Sequence, residues 1–142
     1  MQSKLILFLR LKPKRRHLLI VGIFLAIYSY FLFSFNQKKA RFGEQNGILN
    51  PENADNQPLI LDIRFVIKVL SKYVPWNFVC RHQAWIASFL LKKQQIPYTI
   101  YVGFKKNPFG QIEGHAWTLA QNIMVSGFCN PKEFTIQATY VG

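Results

Sequence analysis

Cys80 and His115 are the two residues of this chain best suited to chemistry. A cysteine in the first turn of a helix feels unpaired backbone N–H groups and the positive end of the helix dipole, and both favour the thiolate, which is the nucleophile. A histidine at a strand start about 35 residues further on could face that helix end as general base. Blander readings compete. A buried cysteine is most often a small hydrophobe, and a lone histidine most often a satisfied core or surface residue. Cys80, His82, His115 and Cys129 could instead hold a metal, but no C-x-x-C or H-x-x-x-H pair prearranges ligands, and His82, two places after Cys80 on a helix, points elsewhere. No metal or cofactor is expected. A Cys80–Cys129 disulfide is a further alternative.

The elements that must position these residues lie in 59–142. From Leu61 to Val74, apolar Ile63, Val66, Ile67, Leu70, Tyr73 and Val74 recur at helical spacing while Arg64, Lys68, Ser71 and Lys72 fall on another face, and Pro75 ends the pattern. A second helix is predicted from about Phe78 to about Gln94, with Cys80, Ala84, Ala87 and Leu91 along one stripe. Tyr98–Gly103 has the β-branched and aromatic enrichment of a strand, and the loop Lys105–Gly114 returns the chain to a strand over His115–Ala120. Gln121-Asn122 reads as a tight turn into Ile123–Ser126, and Phe134–Val141 supplies a last strand. Two helices followed by a small antiparallel sheet make an α+β domain.

Charge and hydropathy divide the 142 residues unevenly. Lys and Arg number 18 against 6 Asp and Glu, a net charge of +12, yet residues 1–43 hold nine basic residues and no acidic one. Half the chain is hydrophobic and there are only two cysteines, which excludes a disordered tail and a disulfide-rich secreted module. Leu18 to Phe35 carries no charge; as a helix it would reach roughly 27 Å, just short of a ~30 Å hydrocarbon core. The stretch is too long for the core of a cleaved signal peptide and no small-x-small site follows. Five basic residues in 10–16 and three in 38–41 flank it, a bias that weakly favours a cytoplasmic N-terminus. A spanning helix, a hydrophobic hairpin and a membrane-surface helix meeting anionic headgroups all fit. Nucleic acid is not an expected partner, because the basic residues flank an apolar run rather than interleave with aromatics over a polar groove. Gly, Asn, Gln and Pro dominate 40–58, which reads as a linker. The organisation expected is a basic and hydrophobic helical segment over 1–39, a linker over 40–58 and the α+β domain over 59–142.

Pro75-Trp76-Asn77, Cys80, Gln83-Ala84, Leu90-Leu91, Ile96-Pro97, Tyr101-Val102-Gly103, His115-Ala116-Trp117 and Phe134-Thr135 together resemble the transglutaminase-like cysteine protease of lasso-peptide biosynthesis. The opening Phe8-Leu9-Arg10-Leu11-Lys12-Pro13-Lys14-Arg15-Arg16, followed by a hydrophobic helix, is also similar to standalone members of that family. The resemblance implies a papain/transglutaminase-like fold and a peptidase that removes the leader from a ribosomally made precursor peptide. Cys80 would attack the scissile carbonyl, His115 would protonate the leaving amine, and the N–H groups at the start of the Cys80 helix would receive the oxyanion. Trp117 would pack against the pair, and Gln83 is given no role.

A triad of this type uses a third group to hold the imidazole in one tautomer, usually an Asp on the following strand. From Ala116 to Gly142 the only acid is Glu133. With a two-residue turn at Gln121-Asn122, Ser126 would stand opposite Trp117 and diagonal to His115, where it or Asn130 could substitute. Residues 44–58 are too few for a leader-binding module, so the expected partners are the precursor, a separate leader-recognition protein and an asparagine-synthetase-like enzyme that closes the lactam. The expected location is the cytoplasm, with residues 18–35 attaching the protein to the inner membrane. Two alternatives stand beside the peptidase: a non-catalytic membrane-associated scaffold that binds a peptide or maturation partner, and an amide transferase or deamidase using the same Cys–His pair.

Overall fold

Prolines set the first element boundaries. A computed structural model describes residues 4–49 and 55–142. Lys12, ahead of Pro13, is extended (φ −56°, ψ 142°), so α1 (Lys4–Arg10) cannot run on into α2 (Pro13–Phe35). Pro58 sits in the first turn of α3 (Gln57–Tyr73), where its missing N–H costs nothing, and the helix therefore starts ahead of Leu61. Val74 is extended before Pro75 and stops α3 where expected. Extended Val79 (φ −80°, ψ 171°) delays α4 (Cys80–Lys93), which makes Cys80 its first residue.

The strands among the described residues are β1 (Glu44–Gln45), β2 (Thr99–Lys106), β3 (Ile112–Ala120), β4 (Ile123–Ser126) and β5 (Thr135–Val141), in one antiparallel sheet of order β1-β5-β2-β3-β4. β1 falls inside 40–58 and pairs Glu44 with Val141 and Gln45 with Tyr140. Just before it, the Phe42 carbonyl accepts a 2.8 Å hydrogen bond from the buried Tyr98 hydroxyl. β2 and β3 are longer than their apolar runs, because the Asn107 side chain accepts from the N–H groups of Phe109 and Gln111 at 3.0 and 2.9 Å and closes the hairpin tightly. Gln121 and Asn122 both have positive φ (46° and 63°), the turn expected between β3 and β4. The register beyond that turn differs from expectation. Ser126 pairs with Thr118 and not with Trp117, because the pairing slips by one residue between Thr118 and Leu119.

α3 and α4 pack on β4 and β3, and α2 packs across both helices. Ile60, Ile63, Val66, Ile67 and Leu70 form the fully buried stripe of α3, and Ala84, Ile86, Ala87, Leu90 and Leu91 that of α4. From Leu18 on α2 is apolar all round, and one face joins this core: Leu18, Gly22, Ala26, Ser29 and Phe33 recur every three or four residues and are buried. Ser29 satisfies its hydroxyl on the Ala26 carbonyl at 2.8 Å, which lets a polar residue sit there. Arg15 pairs with Asp62 at the near end of the contact, and Phe33 meets the ring of His82 at 4.8 Å at the far end.

Gly22 sets the distance between α2 and α3. A Cβ there would stand 2.7 Å from Val66 Cγ1 and 3.1 Å from Leu70 Cδ1, closer than side chains pack. Gly22→Val should therefore lower the urea unfolding midpoint with the m-value unchanged, by about 1–3 kcal/mol as overpacked cores do. An unchanged midpoint would show that α2 is not docked on α3.

Candidate active site

The chain reaches Cys80 through extended Val79, whose carbonyl accepts from the N–H groups of His82 and Gln83 at 3.0 and 3.3 Å. The Gln83 side chain reaches back to the Phe78 carbonyl at 3.3 Å, so it ties down the turn that presents Cys80. At the first position of α4 the thiol faces β3. β4 pairs with β3 over Thr118–Ala120, and at His115 and Ala116 the strand meets the start of α4 instead.

Burial pushes the Cys80 thiol up, but four contacts outweigh it. A hydrogen bond with His115, the backbone N–H of Ala116, the charge of the imidazolium and the backbone N–H of Arg81 together hold the thiol below its ordinary value. The partner shifts the other way. The hydrogen bond to Cys80 raises His115 above an ordinary histidine against the opposing effect of burial, and the Gly127 carbonyl adds to the rise. The two shifts favour a thiolate facing an imidazolium.

The imidazole is held by the main chain. Nε2 of His115 lies 2.9 Å from the Gly127 carbonyl oxygen. A carbonyl only accepts, so Nε2 carries the proton, and Nδ1 is the nitrogen left for Cys80. The residues expected as third member are engaged elsewhere. Ser126 donates to Thr118 Oγ1 at 2.8 Å, and Asn130 accepts from the Lys132 N–H at 3.3 Å. Gly127 can do this because it is glycine: its φ is +65°, and a Cβ would stand 2.0 Å from the Ala116 carbonyl oxygen. Phe134 stacks on the His115 ring at 5.3 Å, and Trp117 lies 6.3 Å away and packs on Phe134, so Trp117 supports the ring as expected.

His82 and Cys129 stand apart from the pair. His82 is buried between Phe33 and Phe78, and burial, then the Arg81 charge, hold it below an ordinary histidine despite the Val79 carbonyl. Both cysteines are free thiols. Burial, Glu133 and the Cys80 charge push Cys129 up, with Lys105 opposing. Among the described residues no three His, Cys, Asp or Glu side chains cluster.

An open cavity of about 410 Å³ exposes Cys80 and His115 to a ligand. Its walls are Phe33 from α2, Phe42, Val102 and Tyr140, and Arg81 lies at its edge with its guanidinium 5.2 Å from the Phe33 ring. The wall from Phe33 and Phe42 and the carbonyl of Gly127 are the parts that sequence reasoning missed. The only trace of the carbonyl in the sequence is a glycine directly after β4.

A family model described as transglutaminase-like superfamily matches residues 36–139, well over half of the chain. The chain belongs to the transglutaminase-like superfamily. No curated protein and no solved structure matched it. The superfamily's members are usually cysteine-dependent enzymes, and the match takes in both Cys80 and His115. α1 and α2 lie outside it.

Alkylation with iodoacetamide should modify Cys80 ahead of Cys129 at neutral pH. The sign follows from the shifts: a lowered thiol pKa leaves Cys80 ionised at pH values where Cys129, raised, is still protonated. His115→Ala should remove the selectivity, since burial then acts with less opposition. Gly127→Ala should slow Cys80 alkylation at neutral pH roughly ten- to a hundredfold, the worth of about 1.5–3 kcal/mol for a hydrogen bond to a charged group. Equal labelling of the two cysteines in the unsubstituted protein would contradict the pairing.

Proposed function

We propose that the protein is a cysteine peptidase that removes the leader from a ribosomally synthesised lasso-type precursor peptide. The observation that carries the reading is the Cys80–His115 pair at the start of α4, with the imidazole held on the Gly127 carbonyl and an open cavity beside it. The sequence strings around Cys80 and His115 that resemble lasso-peptide proteases supply the substrate class.

In this reading the Cys80 thiolate attacks the scissile carbonyl carbon and forms a C–S bond, and the carbonyl π electrons move to oxygen. The backbone N–H groups of Arg81 and Ala116, both of which help to hold the Cys80 thiol down, would receive the developing oxyanion. Collapse of the intermediate breaks the C–N bond, and His115 gives its Nδ1 proton to the leaving amine. His115, now neutral with Nε2–H still on Gly127, takes a proton from water as the water attacks the thioester; the acid is released and the thiolate–imidazolium pair returns. The partners are the precursor, a separate leader-recognition protein and an asparagine-synthetase-like lactam-forming enzyme that takes the cleaved core. The cytoplasm is the site of action, with α2 the attachment to the inner membrane.

The test is mass spectrometry of a precursor incubated with the full chain and a leader-binding protein from the same gene neighbourhood. Free leader and free core should appear, Cys80→Ala should give none, and His115→Ala should slow cleavage roughly 10²–10⁴-fold, the usual worth of a general acid–base group. The rate should hold across a wide pH plateau, because a lowered Cys80 moves the acid limb down and a raised His115 moves the alkaline limb up. An uncut precursor, or cleavage that survives Cys80→Ala, would overturn the peptidase; a labelled amine in the product in place of water would make the second half a transfer.

A further inference from the structure

α2 has two apolar faces, and the domain uses one of them. Opposite the buried stripe, Ile20, Phe24, Ile27, Phe31 and Phe35 recur every three or four residues and are exposed, Phe24 by 68% and Phe35 by 81%. From Leu18 to Gln37 no side chain is charged. Tyr28 and Tyr30 border the exposed stripe on either side, with their rings on Trp85 and Trp76 of the domain at 5.7 and 5.6 Å. α1 adds exposed Leu5, Ile6 and Leu9. A soluble surface rarely leaves so long an apolar stripe bare.

The ends of the stripe are basic. Arg10, Lys12, Lys14 and Arg16 precede it, Lys38, Lys39 and Arg41 follow it, and no acid occurs before Glu44. Positive side chains at the N-terminus of α2 oppose its dipole, so helix stability does not account for them. One surface satisfies both features: apolar along its middle, negative where the ends of α2 meet it.

We propose that α1 and α2 seat the protein on an anionic lipid bilayer, with α2 lying in the plane of the interface between the domain and the acyl chains. The domain takes the place of the polar face of an ordinary interfacial helix, and the two tyrosines stand at the level where amphipathic rings settle. α2 does not cross the bilayer. It is docked from Arg15 on Asp62 to Phe33 on His82, and leaving would uncover Val66 and Leu70, which pack on Gly22. A second copy is a poor occupant, because it would bring the same basic clusters face to face. Phe33, on the face of α2 turned toward the domain, lines the cavity beside Cys80, so the bilayer would hold that cavity near its surface.

The test is flotation of the full chain with vesicles of phosphatidylcholine alone or mixed with phosphatidylglycerol. The protein should float with the mixed vesicles, bind neutral ones roughly tenfold less or weaker still, and lose affinity as salt rises. Phe24→Glu with Ile27→Glu should reduce binding roughly tenfold or more while leaving the thermal melt in place, since both residues are exposed. Lys14→Gln with Arg16→Gln should weaken binding to the mixed vesicles only. Alkaline carbonate should release the bound protein. Resistance to carbonate would overturn the surface mode in favour of a spanning helix. Absence of vesicle binding, with a dimer that the Glu variants dissolve, would overturn it in favour of a second copy. Binding unaffected by the Glu variants would overturn the role of the stripe.

Discussion

A single hydrogen bond, from Nε2–H of His115 to the Gly127 carbonyl, orders the rest of the site. It fixes which nitrogen carries a proton in the neutral ring, and so which nitrogen meets the Cys80 sulfur. A carboxylate in that place would also stabilise the imidazolium through its full charge. A carbonyl dipole orients the ring with less electrostatic help, and more of the stabilisation then falls to the thiolate itself. The shifts of Cys80 and His115 are opposed: burial pushes Cys80 up but the hydrogen bond with His115 leads the contacts that outweigh it, and the same bond is the largest cause of the rise in His115.

The fold exists around this contact. α4 begins at Cys80, about two residues later than expected, because Val79 is extended, and the thiol therefore lies at the first position of the helix. β4 is short and slips in register, and its chain then turns through Gly127 in the left-handed region, where a Cβ would strike Ala116, which brings a carbonyl to the histidine. Phe134 from the start of β5 closes over the ring. α2 matters to both parts of the molecule. It caps the core through Gly22 and Ser29, and its Phe33 forms a wall of the cavity.

Much of this was legible in the residues. The α3 stripe and the strands β2 to β5 follow from periodicity and punctuation, and the Gln121-Asn122 turn from the tolerance of those side chains for positive φ. The Cys80–His115 pairing was legible as an expectation, because a helix start and a strand start are places that chemistry uses. What escaped was carried by the backbone. β1 is two residues of Glu and Gln whose pairing to β5 has no hydrophobic signal. The third partner of His115 is a carbonyl, which every residue possesses, and its candidates Ser126 and Asn130 were side chains that the register slip and a local turn had already engaged. The two-faced use of α2 was also hidden, since a helix that is apolar all round does not say which face is core.

The most direct measurement is the ¹⁵N chemical shifts of the His115 ring, followed by NMR across pH in the unsubstituted protein and in Cys80→Ala. The account predicts that the neutral ring is the Nε2–H tautomer. It also predicts that His115 titrates above an ordinary histidine, and that this elevation falls when the sulfur is removed, because the bond to Cys80 is its largest cause. An Nδ1–H tautomer, or a titration that Cys80→Ala leaves unmoved, would contradict it.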